Sequence, residues 1–206
     1  CEFQVSRKLH PWIWNPETGE RVPCPTEGAS NLVHLSLPRA TSLLILFEPE
    51  KAAQPEDVAA STIGEKVIGG EWSLLLEHIN GERVQTSIPG LSDLTENTLT
   101  KHFAGVATYE KVVTLDSDQY NTIELGEVQG ISELFVNDRQ VGLRWYGDHR
   151  YEVGNYIVKG ENRVTIKLTT ITGNYLKGLD DNKVARLWTA GQNYYPMGVM
   201  GPVKIS

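Results

Sequence analysis

Four stretches decide the fold: Tyr109-Glu-Lys-Val-Val-Thr-Leu115, Tyr120-Asn-Thr-Ile-Glu-Leu-Gly-Glu-Val128, Ile131-Ser-Glu-Leu-Phe-Val-Asn-Asp-Arg-Gln-Val-Gly142 and Gly160-Glu-Asn-Arg-Val-Thr-Ile-Lys-Leu-Thr-Thr170. Each is a short apolar run of period two, cut by Asp, Asn or Gly. Val164, Ile166 and Leu168 fall on one side of an extended chain, and Thr165, Lys167 and Thr169 on the other. Side chains alternate faces along a strand, so this spelling predicts strands buried on one face, as in an antiparallel sandwich. No helical period of comparable length competes with it.

Outward from that core, Trp72, Leu74 and Leu76 alternate in the same way, and Val84–Ile88 reads as a return strand. Asn80-Gly81 between them predicts a two-residue type I′ hairpin. Leu91–Lys101 reads as an irregular connection. Asp116-Ser-Asp118, Asn137-Asp138 and Lys159–Asn162 read as turns. Thr172–Arg186 reads as a polar loop with a helical turn near Asp181–Arg186, and Val199–Ile205 as the last strand.

The first fifty residues hold a short alternating strand at 2–6 and a Trp-bearing loop, Pro11–Gly19, closed by Pro16-Glu-Thr-Gly19. A strand pair, Leu32–Leu37 with Ser42–Phe47, follows. Residues 51–69 are a charged linker rich in Pro and Ala, with Pro55 placed to open one helical turn. Phe3, Val5, Val33, Leu35 and Leu37 are expected to bury themselves on the sandwich rather than stay wet.

A chain of 206 residues is long enough for one large sandwich with a smaller appendage. Its net charge of −7 argues against a nucleic-acid partner, which would call for clustered Lys and Arg. No apolar run reaches the roughly eighteen residues that span a bilayer. Cys1 and Cys24 do not make a disulfide framework. Three readings of Cys1 stay open: a bridge to Cys24, a lipid-bearing terminal Cys, or a start inside a longer protein.

Glycoside hydrolysis needs two carboxylates flanking the scissile bond. The pairs this chain offers, Glu124 with Glu133 and Asp180 with Asp181, read as solvent-facing charge, and no catalytic residue is assigned. There is no Gly-x-Ser-x-Gly, and the five histidines, 10, 34, 78, 102 and 149, lack zinc-binding spacing. His34 and His78 read as exposed-face or satisfied strand residues. Sugar recognition uses aromatic faces and planar polar groups. Two clusters supply them: Trp145 and Tyr146 with His149, Arg150 and Tyr151, and Trp188 with Gln192, Asn193, Tyr194 and Tyr195. The alternative is that these rings are core or inter-sheet aromatics.

Leu125-Gly-Glu-Val, Leu134-Phe-Val-Asn-Asp-Arg-Gln-Val-Gly142, Trp145 and Gly160-Glu-Asn-Arg-Val-Thr-Ile166 together resemble the jelly-roll sugar-binding domain of family 2 glycoside hydrolases. Phe103-Ala-Gly-Val-Ala-Thr-Tyr-Glu-Lys111 resembles another stretch of that domain. Pro196-Met-Gly-Val-Met-Gly-Pro-Val-Lys-Ile205 and the opening Pro11-Trp-Ile-Trp-Asn-Pro-Glu-Thr-Gly-Glu20 resemble the C-terminal region of family 106 α-L-rhamnosidases. Where that family has a Pro-containing turn after the Trp, this chain has Tyr146-Gly147-Asp148.

The resemblance implies an all-β, galactose-binding-like jelly-roll sandwich over residues 70–206. Residues 1–50 would then be the remnant of a preceding β domain, joined by the 51–69 linker. It implies a non-catalytic accessory domain of a carbohydrate-degrading enzyme, periplasmic or extracellular, with carbohydrate and a catalytic barrel polypeptide as partners. No cofactor is required. A structural calcium is the candidate ion, with Asp116, Asp118 and Asp148 as donors. The competing readings are a self-standing carbohydrate-binding module and a purely structural or interaction domain from a truncated gene.

Overall fold

The computed structural model describes residues 9–16, 19–26, 32–33, 35, 37, 42–49 and 64–206. The chain divides into two units, Cys1–Ala60 and Ser61–Ser206. The expected strand at 2–6, Cys1, Phe3, Val5, His34 and most of the linker lie outside the described residues.

In the first unit β1 (His10–Trp14) lies between β2 (Arg21–Pro23) and β3 (Leu44–Glu48), all antiparallel. This corrects one expectation. The Trp-bearing stretch is a strand through Trp14, and only its end turns, with the Gly19 N–H donating to the Asn15 carbonyl at 2.9 Å. The expected pairing of 32–37 with 42–47 falls partly outside the described residues; along its other edge β3 pairs with β1, setting Trp12 against Leu46 and Ile13 against Ile45. Apolar cross-strand pairs of this kind favour that register. Arg21 lies over the Trp12 ring at 4.6 Å and pairs with Glu48, so one side chain of β2 reaches both other strands of the sheet. Cys24 is a buried free thiol, and burial pushes its pKa up.

The second unit holds β4 (Lys66–Val67), β5 (Trp72–His78), β6 (Arg83–Ile88), β7 (Gly105–Leu115), β8 (Thr122–Glu124) and β9 (Glu127–Gln129). They are followed by β10 (Ile131–Val136), β11 (Arg139–Arg144), β12 (Arg150–Glu152), β13 (Gly160–Thr169), β14 (Gly198–Gly201) and β15 (Lys204–Ile205). Two short helices, α1 (Gly173–Lys177) and α2 (Lys183–Thr189), lie between β13 and β14. One sheet has the order β11-β10-β13-β7-β5-β6, a second β12-β8-β15-β4, and β14 pairs with β9. Every ladder between these strands is antiparallel. The result is an all-β sandwich, as the period-two pattern predicts.

The core is the inward face of the large sheet against the smaller one. Trp72, Leu74, Leu76, Ala107, Tyr109, Leu134, Val136, Val164, Ile166 and Leu168 meet Ile123, Leu125, Tyr151, Val199 and Ile205 in one cluster. Thr165 is half-buried, and Lys167 and Thr169 face solvent. Each large apolar side chain so buried stabilises by about 1.5–3 kcal/mol. The sandwich also takes in β4 and Ile68, upstream of residue 70, because β4 extends the smaller sheet by pairing with β15. The expected last strand is two, β14 and β15, on different sheets.

Two turns exchange their expected roles. Asn80-Gly81 is not a two-residue hairpin tip. The Gly81 N–H donates to the His78 carbonyl at 2.9 Å across a type I turn, and Gly81 follows at φ +92°. That is the three-residue hairpin with a bulge glycine. The Asn80 carboxamide accepts the Glu82 N–H at 2.9 Å, which holds the turn at its own negative φ. The two-residue turn with positive φ at both positions lies instead at Asn137 (φ 51°) and Asp138 (φ 62°), between β10 and β11.

Candidate functional site

Trp145 and Tyr146 leave the end of β11 and pack edge to face, ring centroids 4.6 Å apart. They are 61% and 42% exposed. Trp188 is not on a loop. Asn182 caps α2 by accepting the N–H groups of Val184 and Ala185 at 3.1 and 3.0 Å. Ala185 and Thr189 turn inward. Val184, Leu187 and Trp188, at i, i+3 and i+4, then share the outer face, with Trp188 73% exposed.

The chain after α2 is fixed from below. Asn174 of α1 is buried, and its carboxamide both donates to the Tyr195 carbonyl (2.8 Å) and accepts the Tyr195 N–H (3.0 Å). Tyr195 is 55% exposed. Tyr194 is half-buried, with the ammonium groups of Lys101 and Lys177 at 4.0 and 5.2 Å from its ring centroid and His102 edge-on at 5.4 Å. Asn193 and Gln192 are exposed, and Gln192 donates to the Trp188 carbonyl at 2.8 Å.

The two aromatic sets leave the same end of the large sheet but not the same place. The Tyr194 surroundings enter at the start of β7, three strands from β11 in the sheet order. At roughly 4.8 Å per strand the attachment points are about 14 Å apart.

His149 and Tyr151 are buried, unlike their exposed neighbours Tyr146 and Arg150. The Ser132 hydroxyl lies 2.6 Å from His149 Nδ1 and 2.6 Å from the Tyr151 hydroxyl, which donates to the Ser132 carbonyl at 2.9 Å. Burial, and then the Arg144 charge, push the His149 pKa below its ordinary value, while Asp148 acts weakly the other way. This is a closed polar knot between the sheets, and it does not present Tyr151 to a ligand.

Among the described residues no group of three or more His, Cys, Asp or Glu side chains is gathered to hold a metal ion. Asp116, Asp118 and Asp148 therefore do not converge. Asp116 accepts the Tyr120 hydroxyl at 2.9 Å, and that bond holds its carboxyl below the usual range. Glu124 and Glu133 lie on different sheets.

The concavity that sequence reading passes over lies between the β5–β6 hairpin, the 99–103 turn and α1. It is a cleft of about 250 Å³ lined by Leu76, His78, Glu82, Val84, Leu99, His102, Phe103, Tyr175 and Gly178. His78 packs edge-on against Phe103 and Tyr175, centroids 5.5 and 5.1 Å away. Leu99 is 90% exposed at the rim. No local pattern ties residues 76–84 to 99–103 and 175–178, so the signal was absent from the sequence.

No protein-family model matches the chain. Over 88 residues it is 34% identical to a protein of Formosa agariphila provisionally named beta-glucuronidase, a match covering 40% of this chain and 8% of that protein. The rhamnosidase from Novosphingobium sp. PP1Y matches 99% of this chain and 21% of its own at a TM-score of 0.78 and 23% identity. The beta-D-glucuronidase from Dictyoglomus thermophilum matches 52% of this chain and 19% of its own, with a TM-score of 0.43 and 21% identity. The chain thus spans about a fifth or less of these proteins. Its sandwich is of a kind found within glycoside hydrolases.

Proposed function

We propose that the chain is a non-catalytic, sugar-binding-like sandwich domain of a carbohydrate-degrading glycoside hydrolase, of the kind found in the C-terminal region of family 106 α-L-rhamnosidases. The observation that carries this reading is the fold agreement over 99% of the chain with one-fifth of a rhamnosidase. The 34% identity with the Formosa protein supports it independently. A catalytic barrel needs parallel strands alternating with helices, whereas the ladders here are antiparallel. On this reading the partners are carbohydrate and a barrel-bearing polypeptide, and the compartment is periplasmic or extracellular.

The purified chain is expected to hydrolyse no aryl rhamnoside, galactoside or glucuronide. Turnover abolished by one Asp or Glu substitution would overturn the proposal. The self-standing carbohydrate-binding module is favoured by one observation, the solvent exposure of Trp145, Trp188 and Tyr195. Glycan-array binding by the chain without any barrel polypeptide would decide for it.

A further inference from the structure

We infer that the cleft between the β5–β6 hairpin and α1 is a binding site for a single neutral pyranose ring. The inference rests on the carbohydrate reading above and names where the sugar sits. Volume sets the size. The cleft, about 250 Å³, falls just below the roughly 300 Å³ at which pockets for drug-sized ligands begin. It has room for one ring.

The lining sets the chemistry. Leu76, Val84, Leu99 and Phe103 give apolar wall, and Tyr175 adds a half-buried ring. Against them stand two imidazoles with opposite remaining functions. His78 Nδ1 accepts the Asn80 backbone N–H at 3.1 Å, so in the neutral ring Nε2 carries the proton and is its remaining donor. His102 Nδ1 lies 3.1 Å from the Asn174 carbonyl, which can only accept. The proton of that ring therefore sits on Nδ1, leaving Nε2 as an acceptor. A sugar hydroxyl both donates and accepts. Two neighbouring hydroxyls can thus accept from His78 and donate to His102, with their C–H faces on the apolar wall. The Glu82 carboxylate at the rim adds a further acceptor and disfavours a charged uronate.

The imidazoles are also set in place before any ligand arrives. His78 is wedged against Phe103 and Tyr175. His102 is held by Asn174 and by the edge of Tyr194. Gly178 lies so close beneath His102 that an added Cβ would run into the ring. Rigid placement of the first polar contacts is what a small-ligand site requires.

The test titrates methyl rhamnoside, methyl galactoside and methyl glucoside into the full chain, with glucuronic acid for comparison. The imidazole ¹H–¹⁵N resonances of His78 and His102 are followed. At least one neutral glycoside is expected to shift both sets, and glucuronic acid to shift them less. His78→Phe keeps the ring packing and removes the donor, so affinity should fall about tenfold. Gly178→Ala removes no polar group, yet should weaken binding similarly by displacing His102. Trp188→Ala should leave the response unchanged, and melting curves confirm that each variant folds. Unmoved imidazoles at the highest soluble concentration of all three glycosides overturn the site, as does a response that Trp188→Ala abolishes. Silent imidazoles in a chain that still associates with a barrel polypeptide overturn the cleft alone. Responsive imidazoles in a chain that itself hydrolyses aryl glycosides keep the cleft and overturn the accessory role.

Discussion

The sandwich treats its histidines in two ways. At the β10–β12 contact His149 is closed in by Ser132 and Tyr151, and all three are buried. At the other side of the large sheet His78 and His102 are half-buried and line an open cleft. The first arrangement spends its hydrogen bonds internally and stabilises the fold. The second fixes one nitrogen of each ring to the backbone and leaves the other to what enters. A polar residue buried among partners is a structural element, and the same residue held at a concave surface is a recognition element.

Breaking the closed knot should cost most. Ser132→Ala leaves His149 Nδ1 without its partner, while the Tyr151 hydroxyl keeps its bond to the Ser132 carbonyl. One unsatisfied buried group costs about 1–3 kcal/mol, the loss expected in urea unfolding, against less than about 1 kcal/mol for His78→Phe at the cleft. Equal losses at the two sites would erase the distinction between them.

A smaller effect is expected in the hairpin that carries His78 and Glu82. Gly81 sits at φ +92°, a conformation that a β-branched residue resists. Gly81→Val should destabilise by about 1–2 kcal/mol, measured by the same unfolding curves, and should disturb the cleft without touching the knot.

The gentlest probe is acid. The folded chain holds His149 below its ordinary pKa, so the unfolded chain takes up this proton first as pH falls. The contribution is fully present above about pH 6.5, the ordinary imidazole value. It is lost progressively from there down to the lowered folded value. His149→Gln should flatten the stability-versus-pH curve in that window.

Much of this contrast was hidden in the sequence. The strand faces of β5 and β13 were legible residue by residue, and so was the turn at Asn137-Asp138. The type of turn was not. Asn80-Gly81 carries the commoner type I′ spelling, yet that geometry belongs to Asn137-Asp138. The reason is distance along the chain: Asn137 accepts the Arg163 N–H at 2.9 Å and donates to the Tyr156 carbonyl and to Asn162 at 2.9 and 3.0 Å. Asn162, fully buried, also binds the Val158 N–H and the Val158 and Gly160 carbonyls. Among the candidate sugar contacts, the exposed rings were read from composition. Their separation into two places, and the helix under Trp188, were not.

By itself the sequence determined the antiparallel sandwich and which face of its main strands is buried. Alternation needs only extended backbone geometry and one apolar side. Tertiary structure alone decided which turn is the two-residue one with positive φ at both positions, which histidine is sealed and which is presented, and where residues 76–84, 99–103 and 175–178 meet to form a cleft. Each of those outcomes depends on hydrogen bonds and ring contacts between segments far apart in the chain, and no local pattern encodes such partners.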